Sequence, residues 1–170
     1  MIVTRESKVI LDEQDDILEF DEDDEDVFGD PIEYIKEHPD DKRVLNTIKQ
    51  DPYWAYMYAR DVIKGRWPEG EEAIKQDPYY AYAYAHEVIN GRWPEGEEAI
   101  KQDLEWAYYY ARHVIKGRWP EIEDTIKQYP YWAYYYTLDV IKGRWSDENT
   151  IKKDPYWAYW YCCDQGQWTI

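Results

Sequence analysis

The sequence predicts an all-α protein, a short α-solenoid of about five 26-residue helix-turn-helix repeats with an acidic N-terminal extension, and three observations lead there. Ile48, Ile74, Ile100, Ile126 and Ile151 recur at intervals of 26, 26, 26 and 25 residues, each followed by lysine. An aromatic segment follows each of them, as in Pro52-Tyr53-Trp54-Ala55-Tyr56, Pro130-Tyr131-Trp132-Ala133-Tyr134 and Pro155-Tyr156-Trp157-Ala158-Tyr159. The unit then closes on Gly-Arg-Trp at Gly65, Gly91, Gly117 and Gly143. Repetition at a fixed short period is the mark of units that cannot bury an apolar face alone and do so by stacking.

Along the chain, residues 1–30 form the acidic extension and 31–170 the helical repeat domain: an N-terminal cap over 31–50, repeats over 51–150, and a truncated C-terminal cap over 151–170. The cap reads as a degraded unit, because Ile35-Lys36-Glu37-His38-Pro39 echoes Ile63-Lys64-Gly65-Arg66-Trp67-Pro68. Within a unit, Asp51, Asp77 and Asp154 precede proline, the N-cap and N1 arrangement that starts a helix. Ala55, Tyr58, Ala59 and Val62 then fall at i, i+3, i+4 and i+7, one face of a helix of about 13 residues. Gly65 and its equivalents are expected to supply the left-handed residue that ends it. A second helix of about 8 residues starts near Pro68-Glu69 and runs through Ile74, with acids such as Glu71-Glu72 in the first turn, where the helix dipole favours them.

Columns of the repeat separate scaffold from surface. Ala recurs at 55, 81, 107, 133 and 158, and Tyr at 56, 82, 108, 134 and 159 and again at 58, 84, 110, 136 and 161. The small residue admits a neighbouring helix, and each tyrosine is expected to span to the next unit with its hydroxyl on water or a carbonyl. The column 57, 83, 109, 135 and 160 varies freely and lines up with 53, 60 and 64 down one side of the long helix. This side is expected to face solvent or a partner. Its candidate contact residues are Met57, Tyr109, Tyr135, Trp160, Tyr53 and Tyr131.

Charge narrows the function. The chain holds 37 acidic and 20 basic residues, a net −17, and 17 of the acids against 5 of the bases precede Asn46. Such a chain repels phosphate backbones and anionic lipids, so nucleic acid is a disfavoured ligand and a membrane is not expected. The second set of candidate contact residues lies in the extension: Asp15, Asp16, Asp21, Glu22, Asp23, Asp24, Glu25 and Asp26, with apolar Ile17, Leu18 and Phe20 among them. Acidic and apolar residues so mixed suit a protein with a basic surface. Met1 to Ile10 lack the apolar run of a secretory leader, and two adjacent cysteines, Cys162 and Cys163, give no disulfide framework. A cytoplasmic location is expected.

The residues Ala55-Tyr56, Tyr58-Ala59, Val62-Ile63 and Gly65-Arg66-Trp67-Pro68-Glu69 resemble a tandem repeat of uncharacterised proteins encoded by tailed bacteriophages and environmental viruses. The resemblance covers roughly Pro31 to Trp168. It implies a viral origin, with the host cytoplasm as the location, and carries no settled activity.

No catalytic constellation is legible. A site should break the periodicity, because repeats set like groups in rows. His38, His86 and His113 share no column and are expected to lie far apart, and Cys162 aligns with Ala59 and Ala85, which makes it a small core residue. There is no phosphate loop and no metal motif, and no cofactor is expected. The recurring Lys-Gly-Arg-Trp could track a single nucleic-acid strand, but Arg66 is better explained by acids of the following turn and Trp67 by the seal between units. The sequence therefore reads as a non-catalytic protein-binding scaffold, a phage-encoded protein that modulates or inhibits a host protein. The alternative is an acidic nucleic-acid mimic that occupies a DNA- or RNA-binding cleft of a host enzyme.

Overall fold

The computed structural model describes residues 8–11, 17–20, 30–146 and 148–164. Near the N-terminus, β1 (Lys8–Leu11) and β2 (Ile17–Phe20) pair antiparallel, Lys8 opposite Phe20 and Leu11 opposite Ile17. The acid-rich pattern did not announce this hairpin. Its strand segments are nonetheless rich in isoleucine, leucine, valine and phenylalanine, residues suited to a pleated backbone.

From Asp30 onward the described chain is helical, and aspartate starts most of the helices. The Asp30 carboxylate caps α1 (Pro31–Glu37) by accepting from the Ile32 N–H at 2.8 Å, and Asp41 caps α2 (Lys42–Ile48). These two helices are the N-terminal cap, with Ile32, Ile35, Val44 and Ile48 buried. The long helix of each following unit begins as α-helix: α3 (Pro52–Tyr58), α5 (Pro78–Ala83), α7 (Leu104–Tyr109) and α9 (Pro130–Tyr136). Asp51, Asp77 and Asp103 accept from N–H groups of the first turns of α3, α5 and α7, as the cap chemistry predicts, while Tyr129 before α9 makes no side-chain cap.

Each of these helices widens to a π-helix in its second half, over Ala59–Ile63, Tyr84–Ile89, Tyr110–Ile115 and Thr137–Ile141. The left-handed residue that ends it is then Lys64, Asn90, Lys116 or Lys142, with φ between 54° and 58°, and not the following glycine. The wide turn is the reason. The Ala59 carbonyl accepts from both Lys64 N–H and, at 3.1 Å, Gly65 N–H, so the reversal falls one residue before the glycine. Gly65, Gly91 and Gly117 are neither left-handed nor crowded, and nothing in the structure requires glycine there. Glycine is required at Gly70 and Gly96, where a Cβ would lie 2.2 and 2.1 Å from a ring carbon of Trp67 and Trp93.

The short helices are α4 (Glu71–Ile74) and α6 (Glu97–Ile100), each entered through a 3-10 turn, then α8 (Pro120–Ile126) and α10 (Asn149–Lys152); α11 (Pro155–Asp164) closes the described chain. Long helices pack on long helices, α3 on α5, α5 on α7 and α9 on α11, and the short helices pack against them as a second layer. Ala55, Ala81, Ala107 and Ala133 are buried at the contacts between long helices, and Ile74, Ile100, Ile126 and Ile151 fill the space between layers. This is the helical solenoid that the period predicts. Ala107→Leu is expected to overpack the joint between α5 and α7 and to cost about 1–3 kcal/mol in a urea melt. A neutral result would place the alanine column off the packed face.

Candidate functional site

The joints between units are polar, and one residue set builds each of them. Arg66 donates from Nε and Nη2 to the two carboxylate oxygens of Glu71, at 2.6 and 3.1 Å, and Glu71 is buried. The Tyr84 hydroxyl of the following unit accepts from the Trp67 backbone N–H at 2.7 Å and donates to Glu71 at 3.2 Å. The same set recurs as Arg92, Glu97, Trp93 and Tyr110, then as Arg118, Glu123, Trp119 and Tyr136. In the last joint the spacing is one residue shorter, and Glu148 takes the role, paired with Arg144 and Lys152 and bonded to the Tyr161 hydroxyl at 2.9 Å. Hydrogen bonds from Arg144 and Lys152 hold the Glu148 carboxyl down to about 2.

The first-turn glutamate is therefore a buried partner of arginine and tyrosine, which helix-dipole reasoning alone did not reveal. Likewise the tyrosine hydroxyl reaches a carboxylate and an N–H of the preceding unit, where the sequence suggested water or a carbonyl. The indole N–H of Trp93, Trp119 and Trp145 finds no acceptor among the described residues, although each ring is buried.

The second tyrosine column reaches forward. Tyr56 donates to Glu87 at 2.6 Å, Tyr108 to Asp139 and Tyr134 to Asp164 at 2.5 Å. At the remaining joint the acceptor position holds a histidine, with the Tyr82 hydroxyl 2.9 Å from His113 Nδ1. This is the break in the row that a site should make. His86 and His113, expected to lie apart, are neighbours with ring centroids 5.8 Å apart, because residues 27 apart meet on adjacent long helices. A single column of the repeat does not show this offset of one residue.

The two rings line a groove of about 400 Å³ at the C-terminal ends of the long helices, together with Arg112, Lys116, Lys142 and Asp139. Arg112 donates to Tyr108 at 3.0 Å and pairs with Asp139 at 2.9 Å. Burial, with the Arg112 and His86 charges beside it, holds His113 below the ordinary histidine value. Asp139 is engaged by Arg112 and Tyr108, and the groove's lining holds no serine, threonine or cysteine.

The predicted aromatic side is graded in burial. Tyr53, Tyr131 and Trp160 are exposed as expected, whereas Met57, Tyr109 and Tyr135 are half-buried against the core and Ala83 of the same column is fully buried. That column packs on its neighbours: the Tyr109 ring stacks on His113 of its own helix at 5.6 Å and lies 6.3 Å from Tyr82 of the preceding long helix, and Tyr135 lies 5.9 Å from Trp157 of the following one. The more exposed row starts the helices instead, with Tyr53, Tyr79, Tyr131 and Tyr156 at 39, 41, 45 and 61% exposure, and Glu105 in their place on α7. Each of the first three whose neighbour is aromatic rests on it, Tyr53 on Tyr80, Tyr79 on Trp106 and Tyr131 on Trp157, at 5.8, 4.7 and 5.2 Å. Tyr79 and Tyr156, absent from the candidates the sequence offers, share the first-turn position of Tyr53 and Tyr131 and belong to the same row.

Asp15, Asp16, Asp21, Glu22, Asp23, Asp24, Glu25 and Asp26 lie outside the described residues. Cys162, expected in the core, is half-buried. Among the described residues no group of three or more His, Cys, Asp or Glu is placed to hold a metal, and no helix is long and apolar enough to cross a membrane.

Fold and joints together define a helical-repeat protein of the solenoid class, with tyrosine-carboxylate-arginine joints in place of an aliphatic seam. No protein-family model matches the chain, and neither a curated protein nor a solved structure is significantly similar to it.

Proposed function

We propose that the protein is a non-catalytic scaffold that binds another protein through the exposed ring row of its long helices. The observation that carries this reading is the row itself: Tyr53, Tyr79, Tyr131, Tyr156 and Trp160 stand exposed along the long helices, and Tyr129 and Tyr159 are the other exposed tyrosine rings among the described residues. Tyrosine and tryptophan are the rings that protein interfaces favour, and those already braced against a neighbour lose little freedom on binding. The non-catalytic part is supported by the histidine groove, where the carboxylate is committed to Arg112 and Tyr108 and the lining holds no serine, threonine or cysteine.

The acidic-mimic reading has less support. Glu71, Glu97, Glu123 and Glu148 of the repeat body are buried in ion pairs and cannot present a phosphate-like array. The acidic extension adds steering toward a basic partner. The repeat's resemblance to viral sequences makes a host protein the first partner to test. With a partner captured from host lysate, the triple variant Tyr131→Ala, Tyr156→Ala, Trp160→Ala is expected to dissociate roughly tenfold faster or more. Deletion of residues 1–30 is expected to slow association and flatten its salt dependence. Loss of binding on that deletion, with the triple variant unchanged, overturns the scaffold reading.

A further inference from the structure

We infer that the groove between the second, third and fourth long helices is a binding site for a dianionic oxyanion, the terminal group of a phosphate monoester. The site is separate from the ring row, and the inference does not depend on a protein partner.

Three observations carry it. First, the groove is cationic in a chain of net charge −17: Arg112, Lys116 and Lys142 line it against the single carboxylate of Asp139, with His86 and His113 between them. Second, two of the cations are free. Lys116 and Lys142 pair with no carboxylate among the described residues, whereas Arg66, Arg92, Arg118 and Arg144 of the Gly-Arg-Trp connections are all held by buried glutamates. Third, the place where an acid would cancel this charge has been given to a histidine. The equivalents of His113 on the neighbouring helices are Glu87 and Asp139, each the acceptor of a tyrosine from the preceding unit. With His113 there, the Tyr82 bond survives at 2.9 Å and the negative charge is gone.

Lysines at helix C-termini also offset the helix dipole, and that suffices for Lys64 on the first long helix. It does not account for a groove of about 400 Å³ lined by an imidazole pair. Lys116 and Lys142 occupy the same left-handed position on successive helices, so their ammonium groups approach the groove from adjacent units, one repeat apart. Asn90 holds that position on the third side and offers an amide that can donate to an oxygen without adding charge. A tetrahedral anion with several acceptor oxygens fits donors that converge from three helices better than a single planar carboxylate does.

The test is a titration of the full-length chain with inorganic phosphate, followed by the imidazole resonances of its three histidines at constant ionic strength. His38 is the internal reference, since it lies in the N-terminal cap, stacked on Tyr34. Saturable shifts of His86 and His113, with His38 unmoved, are expected, and sulfate should reproduce them. The double variant Lys116→Asn, Lys142→Asn removes both charges and retains the fold, because Asn90 already adopts the same left-handed backbone in a sibling unit. It is expected to weaken phosphate binding by at least about tenfold. Adenosine monophosphate and a phosphoserine peptide distinguish the sources of the phosphate group, and tighter binding of either one than of inorganic phosphate supports the site. An equal response to chloride, a shift of His38 as large as those of His86 and His113, or undiminished binding by the double variant overturns the inference.

Discussion

Tyr110→Ala is expected to lower stability by about 3–5 kcal/mol, the largest effect of any single truncation in the repeat. The ring is fully buried, packs on Trp119 at 5.0 Å, and its hydroxyl joins two units by accepting from Trp93 N–H and donating to Glu97. Tyr110→Phe separates the two contributions. It keeps the ring and leaves a buried backbone N–H without its acceptor, so a loss of about 1–3 kcal/mol is expected. Tyr58 supplies the control. It occupies the same column on the first long helix, where no Gly-Arg-Trp joint precedes it, and Tyr58→Phe should stay within about 0.5 kcal/mol. Urea melts of the three variants check this, and equal losses for the two phenylalanine variants would show that the hydroxyl bridge contributes nothing.

Alkaline unfolding between about pH 10 and 12 is the second large effect. Burial first, then the nearby carboxylates Glu87, Glu71 and Glu148, pushes the Tyr56, Tyr84 and Tyr161 phenols up to about 12, and Tyr108, Tyr110, Tyr134 and Tyr136 are raised likewise. An unfolded chain releases these protons near pH 10. Between that value and the folded ones the unfolded state binds fewer protons, so stability falls as pH rises. Below about pH 10 the contribution is fully present. Tyrosinate absorbance and helical circular dichroism should therefore change together in one steep transition. Tyrosine ionisation that runs to completion with the helices intact would show that the phenols are not coupled to the fold.

Much of the architecture was legible because period, cap and small-residue signals are local. Asp51 before Pro52 starts a helix wherever it occurs, and an alanine that recurs in every unit marks the contact that every unit makes. The solenoid, its caps and its buried alanine and isoleucine columns follow from these. The column that carries Met57, Tyr109 and Tyr135 reads as outward-facing because it varies between units, whereas these side chains are half-buried against the core, a depth set by neighbouring helices that no single unit shows.

What only the tertiary structure decided lies across the joints. The pairing of Arg66 with an acid of the following turn was legible in the sequence, but the burial of Glu71 and the Tyr84 hydroxyl that closes on it were not, and the widened turn at Ala59–Ile63 moves the left-handed position from Gly65 to Lys64. His86 and His113 sit in different columns and meet because adjacent long helices pack with an offset of one residue beyond the repeat. Sequence determines which groups recur, since each unit repeats the same local chemistry. Which unlike groups converge is set by the rise and rotation between units, and those depend on the packing of Ala, Trp and Tyr side chains from two repeats at once.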